Sequence, residues 1–207
     1  MKRAVCVAML VCSFSMLPAQ ESSPAKAAAK PSAQGPAKPA AAPTVARVLD
    51  LEISIIEREF VGAAEAMPED KYSFTPESLG MAGSDFKGVR TFAAQAKHVA
   101  TVNYMMWGAI TGDAMPANIK DEDGPADMTS KADIVKFVKD SFALGHKAAA
   151  MITAENSMKT AKIPIFPNPV SRLFLCTFAV QHVNDHYGQM VEYLRMNGLV
   201  PPASRQQ

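Results

Sequence analysis

From Val45 onward, apolar residues recur in steps of three and four, at Leu49, Ile53, Ile56, Phe60, Ala63 and Met67. That spacing places them on one face of an α-helix. Pro68 ends the run, since proline lacks the amide N–H that a helix interior requires. A polar connection follows, PEDKYSFTPESLG, with Tyr72 and Phe74 as aromatic anchors. A second helix is predicted from about Val89 to Ile110, with Ala94, His98, Val102, Met105 and Ala109 on one stripe and Arg90, Lys97 and Tyr104 on another side. His98 therefore points where the core should lie. Residues 112–128, GDAMPANIKDEDGPADM, form a long polar loop. Thr129 or Ser130 then serves as the N-cap of a third helix, whose face carries Ile134, Val138, Phe142 or Gly145, Ala149 and Ile152. His146 falls at the edge of that face, the position of a surface imidazole. In the proline-rich connection KIPIFPNP, Asn168 before Pro169 is the pattern of a cap followed by proline at the first helical position. The fourth helix runs to Asn197 and stops at Gly198, with Pro201 and Pro202 beyond. No strand-like alternation appears elsewhere, so the pattern predicts an all-α four-helix bundle over residues 45–207.

The fourth helix raises a chemical question. Thr177, Gln181, Asn184, Asp185, Glu192 and Arg195 form its polar arc, and Leu175, Ala179, Val183, Met190 and Leu194 its apolar side. His182 and His186 fall outside the polar arc, about 40° apart on the wheel, so their rings can converge. A buried imidazole needs a partner for each ring nitrogen. Two at i and i+4, with His98 on the core face of another helix, are met by a divalent metal bound by neutral imidazoles, or by a hydrogen-bonded cluster. In the metal case affinity falls below about pH 6.5, the ordinary histidine pKa, because each ligand must be unprotonated. The metalloprotease HExxH motif is excluded, because Val183 stands where that motif has its catalytic Glu. No fourth ligand and no general base stand out.

Composition adds location and exclusions. The chain has 207 residues, is 48% hydrophobic and carries a formal charge of +1. Its basic residues are interspersed with acids, which argues against nucleic-acid binding. Residues 1–20, MKRAVCVAMLVCSFSMLPAQ, read as a secretory signal peptide: a basic start, an apolar run too short to span a bilayer, and a small residue at Ala19. Residues 21–44 are Ala, Pro and Lys with little to bury, the composition of a flexible, disordered linker. The expected mature protein is exported, periplasmic or secreted, without a membrane span. Signal removal takes Cys6 and Cys12 and leaves Cys176, among apolar residues, as a buried thiol with no disulfide partner. Among the thirteen methionines, Met105, Met106 and Met190 sit at helical spacing and read as core filler. Tyr187 and Tyr193 read as packing residues near the histidines.

The stretches FAAQAKHVATVNYMMWGAI and HVNDHYGQMVEYLRMNGLVPPASR resemble the DinB-like family of damage-inducible, metal-binding four-helix proteins. The resemblance covers nearly all of residues 45–205. It implies a histidine triad at His98, His182 and His186, a bundle with one longer crossover connection for which residues 112–128 provide the length, and a divalent metal cofactor, zinc or nickel. It also implies homodimerisation, and for some relatives a thiol-dependent transferase or isomerase activity with low-molecular-weight thiols, an intracellular chemistry from which an export signal departs.

Two functions of different kind follow. One is a metal-dependent hydrolase or transferase of the cell envelope, in which three imidazoles leave metal positions open for an unidentified small-molecule substrate. The other is a noncatalytic metal-binding or structural envelope protein. A closed four-ligand site favours the second, and a metal at the base of a cleft the first.

Overall fold

The computed structural model describes residues 42–205, so the predicted signal peptide and most of the predicted linker lie outside the described residues. Four helices account for most of the rest: α1, Val45–Ala66; α2, Phe92–Thr111; α3, Lys131–Ala150; and α4, Arg172–Met196. Among the described residues none is long and apolar enough to cross a membrane. Each helix begins on a hydroxyl cap. Thr44, Thr91, Ser130 and Ser171 accept the backbone N–H three residues ahead, satisfying one of the amides that a helix start leaves unpaired.

Two starts differ from the sequence pattern. The second helix begins at Phe92 rather than about Val89, because Thr91 caps it and the Phe92 and Ala93 amides donate back to the carbonyls of Phe74 and Tyr72. The fourth begins at Arg172 rather than Pro169. Here Val170–Ser171 (β2) pairs antiparallel with Thr160–Ala161 (β1), a two-residue ladder that the sequence pattern did not predict. It holds the chain extended past Pro169, and Ser171 rather than Asn168 becomes the cap.

Contacts between helices fix their directions. Trp107 lies against Gly145 and Asn103 bonds Ser141, so residue numbers rise together along α2 and α3 and these neighbours run parallel. By contrast, His146 meets Asp50 while Lys139 meets Glu65, so α1 and α3 are antiparallel. Gln95 meets Gln189 while Tyr193 reaches Arg90, so α2 and α4 are antiparallel as well. A parallel α2 and α3 require the connection between them to travel back along the bundle. Residues 112–130 do this, the longer crossover that the family resemblance implied for residues 112–128.

The core holds Ile53, Ile56, Phe60, Phe92, Trp107, Phe142, Leu175 and Met190, all fully buried. The first and third helical faces pack as their periodicity predicts. On α2 the buried surface is wider than the predicted stripe: Phe92, Ala96, Val99, Asn103 and Met106 are buried, whereas Ala94, Met105 and Ala109 are only partly so. α2 is covered by α3, α4 and the returning connection, so more than one of its faces is enclosed. Gly145 permits part of this packing, since a Cβ there would stand 2.7 Å from the Trp107 ring.

Candidate metal centre

His98 on α2 and His182 and His186 on α4 meet between the two helices. Nε2 of His182 lies 3.1 Å from Nε2 of His98 and 3.1 Å from Nε2 of His186. His98 and His186 are buried and His182 is half-buried. The predicted triad is thus brought together. His146 stands apart, with Nδ1 2.6 Å from Asp50 and Nε2 3.0 Å from Glu57, both on α1.

The outer nitrogens decide which way each ring is protonated. Nδ1 of His98 donates to the backbone carbonyl of Glu122 at 2.8 Å. Nδ1 of His186 donates to Oε1 of Gln95 at 2.6 Å. Both partners can only accept, so both rings carry their proton on Nδ1 and turn an Nε2 lone pair inward. Nδ1 of His182 is buried and has no hydrogen-bond partner among the described residues. A proton on Nε2 of His182 can be donated toward one inward lone pair well, leaving the other facing it.

Protons do not resolve this. Burial, and then the neighbouring imidazoles, push the His182 pKa down to about 3. Burial, and then His98 and Arg90, push His186 down to about 4, and burial lowers His98 too. At neutral pH the three rings are uncharged, with their basic nitrogens converging. That donor set fits a divalent cation, which accepts from neutral imidazole nitrogens. These three residues would hold it.

The returning connection completes the site. Gly124 adopts a positive φ of 78° and lies so close to α2 that a Cβ would meet Thr101 Oγ1 at 2.9 Å and Lys97 Cβ at 3.1 Å. The Lys97 ammonium donates to the Pro125 carbonyl at 2.8 Å. Arg90 pairs with Glu122 at 2.9 Å and Asp123 at 2.7 Å. These contacts seat the Glu122 carbonyl on His98. The two carboxylates also lie within 4.8 Å of a His98 ring nitrogen, but Arg90 occupies them.

A cleft of about 610 Å³ adjoins the site, lined in part by Arg90, Gln95, Asp123, Gln189, Glu192 and Tyr193. The histidines do not line it; Gln95 stands between it and His186. The Phe178 ring stacks beside His182, with centroids 6.4 Å and planes 23° apart. Tyr193 donates to the Arg90 carbonyl, so its hydroxyl supports the cleft wall rather than the triad. The sequence reading missed Gln95, Arg90 and Glu122. For Gln95 a signal existed: an amide among alanines on a core helix, one turn before His98.

The family model of the DinB superfamily matches residues 52–190. A search of curated proteins gave no match. Among solved structures, the chain is similar to a DinB-like protein from Bacillus cereus ATCC 10987, at 18% identity and a TM-score of 0.57, covering 74% of this chain and 93% of that one.

Proposed function

The chain belongs to the DinB superfamily, and from that premise we propose that it is an exported, divalent-metal-binding protein. In this reading His98, His182 and His186 hold zinc or nickel. The observation that carries it is the convergence of three neutral Nε2 atoms, 3.1 Å apart in two pairs, with outer nitrogens that turn two of the lone pairs inward. When bound, such a cation supplies Lewis acidity to a coordinated small molecule.

A hydrolase or transferase is the form of this function that a coordination sphere only partly filled by three imidazoles favours, although Gln95 separates the histidines from the neighbouring cleft. Three protein ligands leave positions open, and the neighbouring cleft offers Glu192 and the amides of Gln95 and Gln189 to a small polar substrate, with Arg90 and Asp123 paired to each other in its wall. The chain's own residues divide the work. Glu122 and Gln95 orient the rings, Arg90 holds the loop that carries Glu122, and Phe178 shields one flank of His182. A noncatalytic role, with the metal joining α2 to α4, draws support from one observation: His98 and His186 are only 6% and 7% exposed. The sequence-based signal peptide supports an envelope location, where either role would operate.

Zinc and nickel titrations of thermal unfolding test the site. A saturating metal at 100 times its Kd stabilises the folded state by about 2.7 kcal/mol. Wild type and His146→Ala should gain this, and His182→Ala and His186→Ala should not. Equal stabilisation of all four proteins would remove the assignment. A screen of small esters, amides and thiol acceptors with metal-loaded protein then separates enzyme from structural site.

A further inference from the structure

His186 is connected to a surface carboxylate through two amides. Oε1 of Gln95 accepts from its Nδ1 at 2.6 Å; Nε2 of Gln95 donates to Oε1 of Gln189 at 2.7 Å; Nε2 of Gln189 donates to Asp185 at 3.0 Å. The direction of this chain has a physical cause. An ionised carboxylate only accepts, so Asp185 draws the NH2 end of Gln189 toward itself. The oxygen of Gln189 then faces Gln95 and draws its NH2 end outward, leaving the Gln95 oxygen facing the imidazole. That oxygen can only accept, so His186 carries its proton on Nδ1. If Gln95 turned over, its NH2 would face Nδ1, and the proton would move to Nε2 and close the ligand position.

We propose that Gln95 is the positioning residue of the metal centre, and that Asp185, Gln189 and Gln95 form a relay that holds His186 in its Nδ1–H tautomer. The consequence for metal affinity rests on the metal-binding reading above; the tautomer is a property of the metal-free protein. Gln95 is 3% exposed and lies one helical turn before His98, so one turn of α2 supplies one ligand and orients another. The other rings differ in kind. His98 is oriented by a backbone carbonyl, which no side-chain substitution removes directly, and Nδ1 of His182 has no partner among the described residues. Gln95 and Gln189 also line the cleft, so the relay is the layer separating the cleft from the triad.

The test combines nitrogen-resolved NMR of the imidazoles in metal-free protein with zinc affinity by chelator competition. In wild type, His186 should be in the Nδ1–H form. Gln95→Leu should lose that form and weaken zinc binding by roughly 10–100-fold, the usual effect of removing a partner behind a ligand, with the His98 tautomer unchanged. Gln95→Glu keeps an acceptor against Nδ1 and should restore both the tautomer and most of the affinity. Gln189→Leu leaves Gln95 in place without its orienting partner and should give a mixed tautomer and a smaller loss. An unchanged His186 tautomer in Gln95→Leu overturns the relay, as does unchanged zinc affinity. Should Gln95→Leu fail to fold, Gln189→Leu decides: a wild-type tautomer there overturns the proposal. Should wild type bind no zinc, the metal reading falls while the tautomer comparison still judges the relay.

Discussion

Nε2 of His98 on α2 lies 3.1 Å from Nε2 of His182 on α4, across 84 positions of the chain. Two uncharged rings meeting at their basic nitrogens share at most one proton between them. The pair, with His186 beside it, is therefore a place that the protein's own hydrogen bonds leave incompletely satisfied.

The first prediction is acid sensitivity without metal. His182 and His186 have folded pKa values of about 3 and about 4, against about 6.5 unfolded. Between those limits the unfolded chain binds more protons, so stability is full above about pH 6.5 and falls as pH drops toward 4 and then 3. Denaturant unfolding of metal-free wild type and His186→Gln at pH 7, 5.5 and 4.5 measures this. The variant should lose less stability on acidification; parallel losses would mean that His186 is not buried neutral. The same lowered values move proton competition for metal below the ordinary histidine range, so affinity should hold nearly level through pH 6.5.

His146 should show the opposite sign. Burial pulls its pKa down, but hydrogen bonds to Glu57 and Asp50 outweigh burial and hold it above 6.5. Its contribution is fully present below the unfolded pKa and is lost as pH rises through the raised folded value. The group is about a third exposed, so solvent screening limits the effect to about 1 kcal/mol or less. Comparing wild type with His146→Gln at pH 6 and pH 9 should show a difference only at pH 6.

Gly124→Ala should damage the centre from outside it. The new methyl would enter at 2.9 Å from Thr101 Oγ1, at a φ of 78° that a side chain disfavours by about 1–3 kcal/mol. The connection must lift from α2, and the Glu122 carbonyl leaves His98 with it. Zinc affinity should fall alongside stability. A variant that loses stability yet binds zinc like wild type would show that this carbonyl is dispensable.

At Gly145 two effects of comparable size compete. Alanine is a better helix former by about 1 kcal/mol, but its Cβ would stand 2.7–2.8 Å from three atoms of the Trp107 ring. Overpacking a filled core costs about 1–3 kcal/mol, and Trp107 is fully buried. Gly145→Ala should therefore be net destabilising by about 1 kcal/mol or more in a urea melt. A neutral or stabilised variant would mean that α2 and α3 separate easily.

Cys176 should be silent in the folded protein. Its thiol is completely buried, and burial, followed by the charge of Glu52, raises its pKa to about 12. A disulfide thiol reagent at pH 8 should label it only at the rate of unfolding. Rapid labelling in native buffer would contradict the packing around α4.

The sequence by itself determined what depends on short-range order. Steps of three and four in apolar residues specified the helices, because neighbours on a helix face are set by its 3.6-residue turn. A hydroxyl followed by a polar turn placed the cap at Thr129 or Ser130, of which the fold uses Ser130, and Gly198, at a φ of 73°, ended α4 where expected. The same periodicity sent His182 and His186 inward together and put His98 on a buried helix.

Only the tertiary structure decided how those rings are held, because each outer partner is remote in sequence or in direction. The Glu122 carbonyl comes from a connection that must run back along α2, and backbone carbonyls carry no sequence signature. Gln95 meets His186 across 91 positions, through an amide whose orientation is set at the far end of a relay. Asp50 and Glu57 capture His146 because α1 happens to pack beside α3, which the α3 pattern alone does not encode. The start of α4 moved to Ser171 for the same reason: a strand partner eleven residues earlier outweighed the local preference of Asn168 and Pro169. Helical order follows from each residue's near neighbours; a ligand's second hydrogen bond follows from whichever segment the fold lays against it.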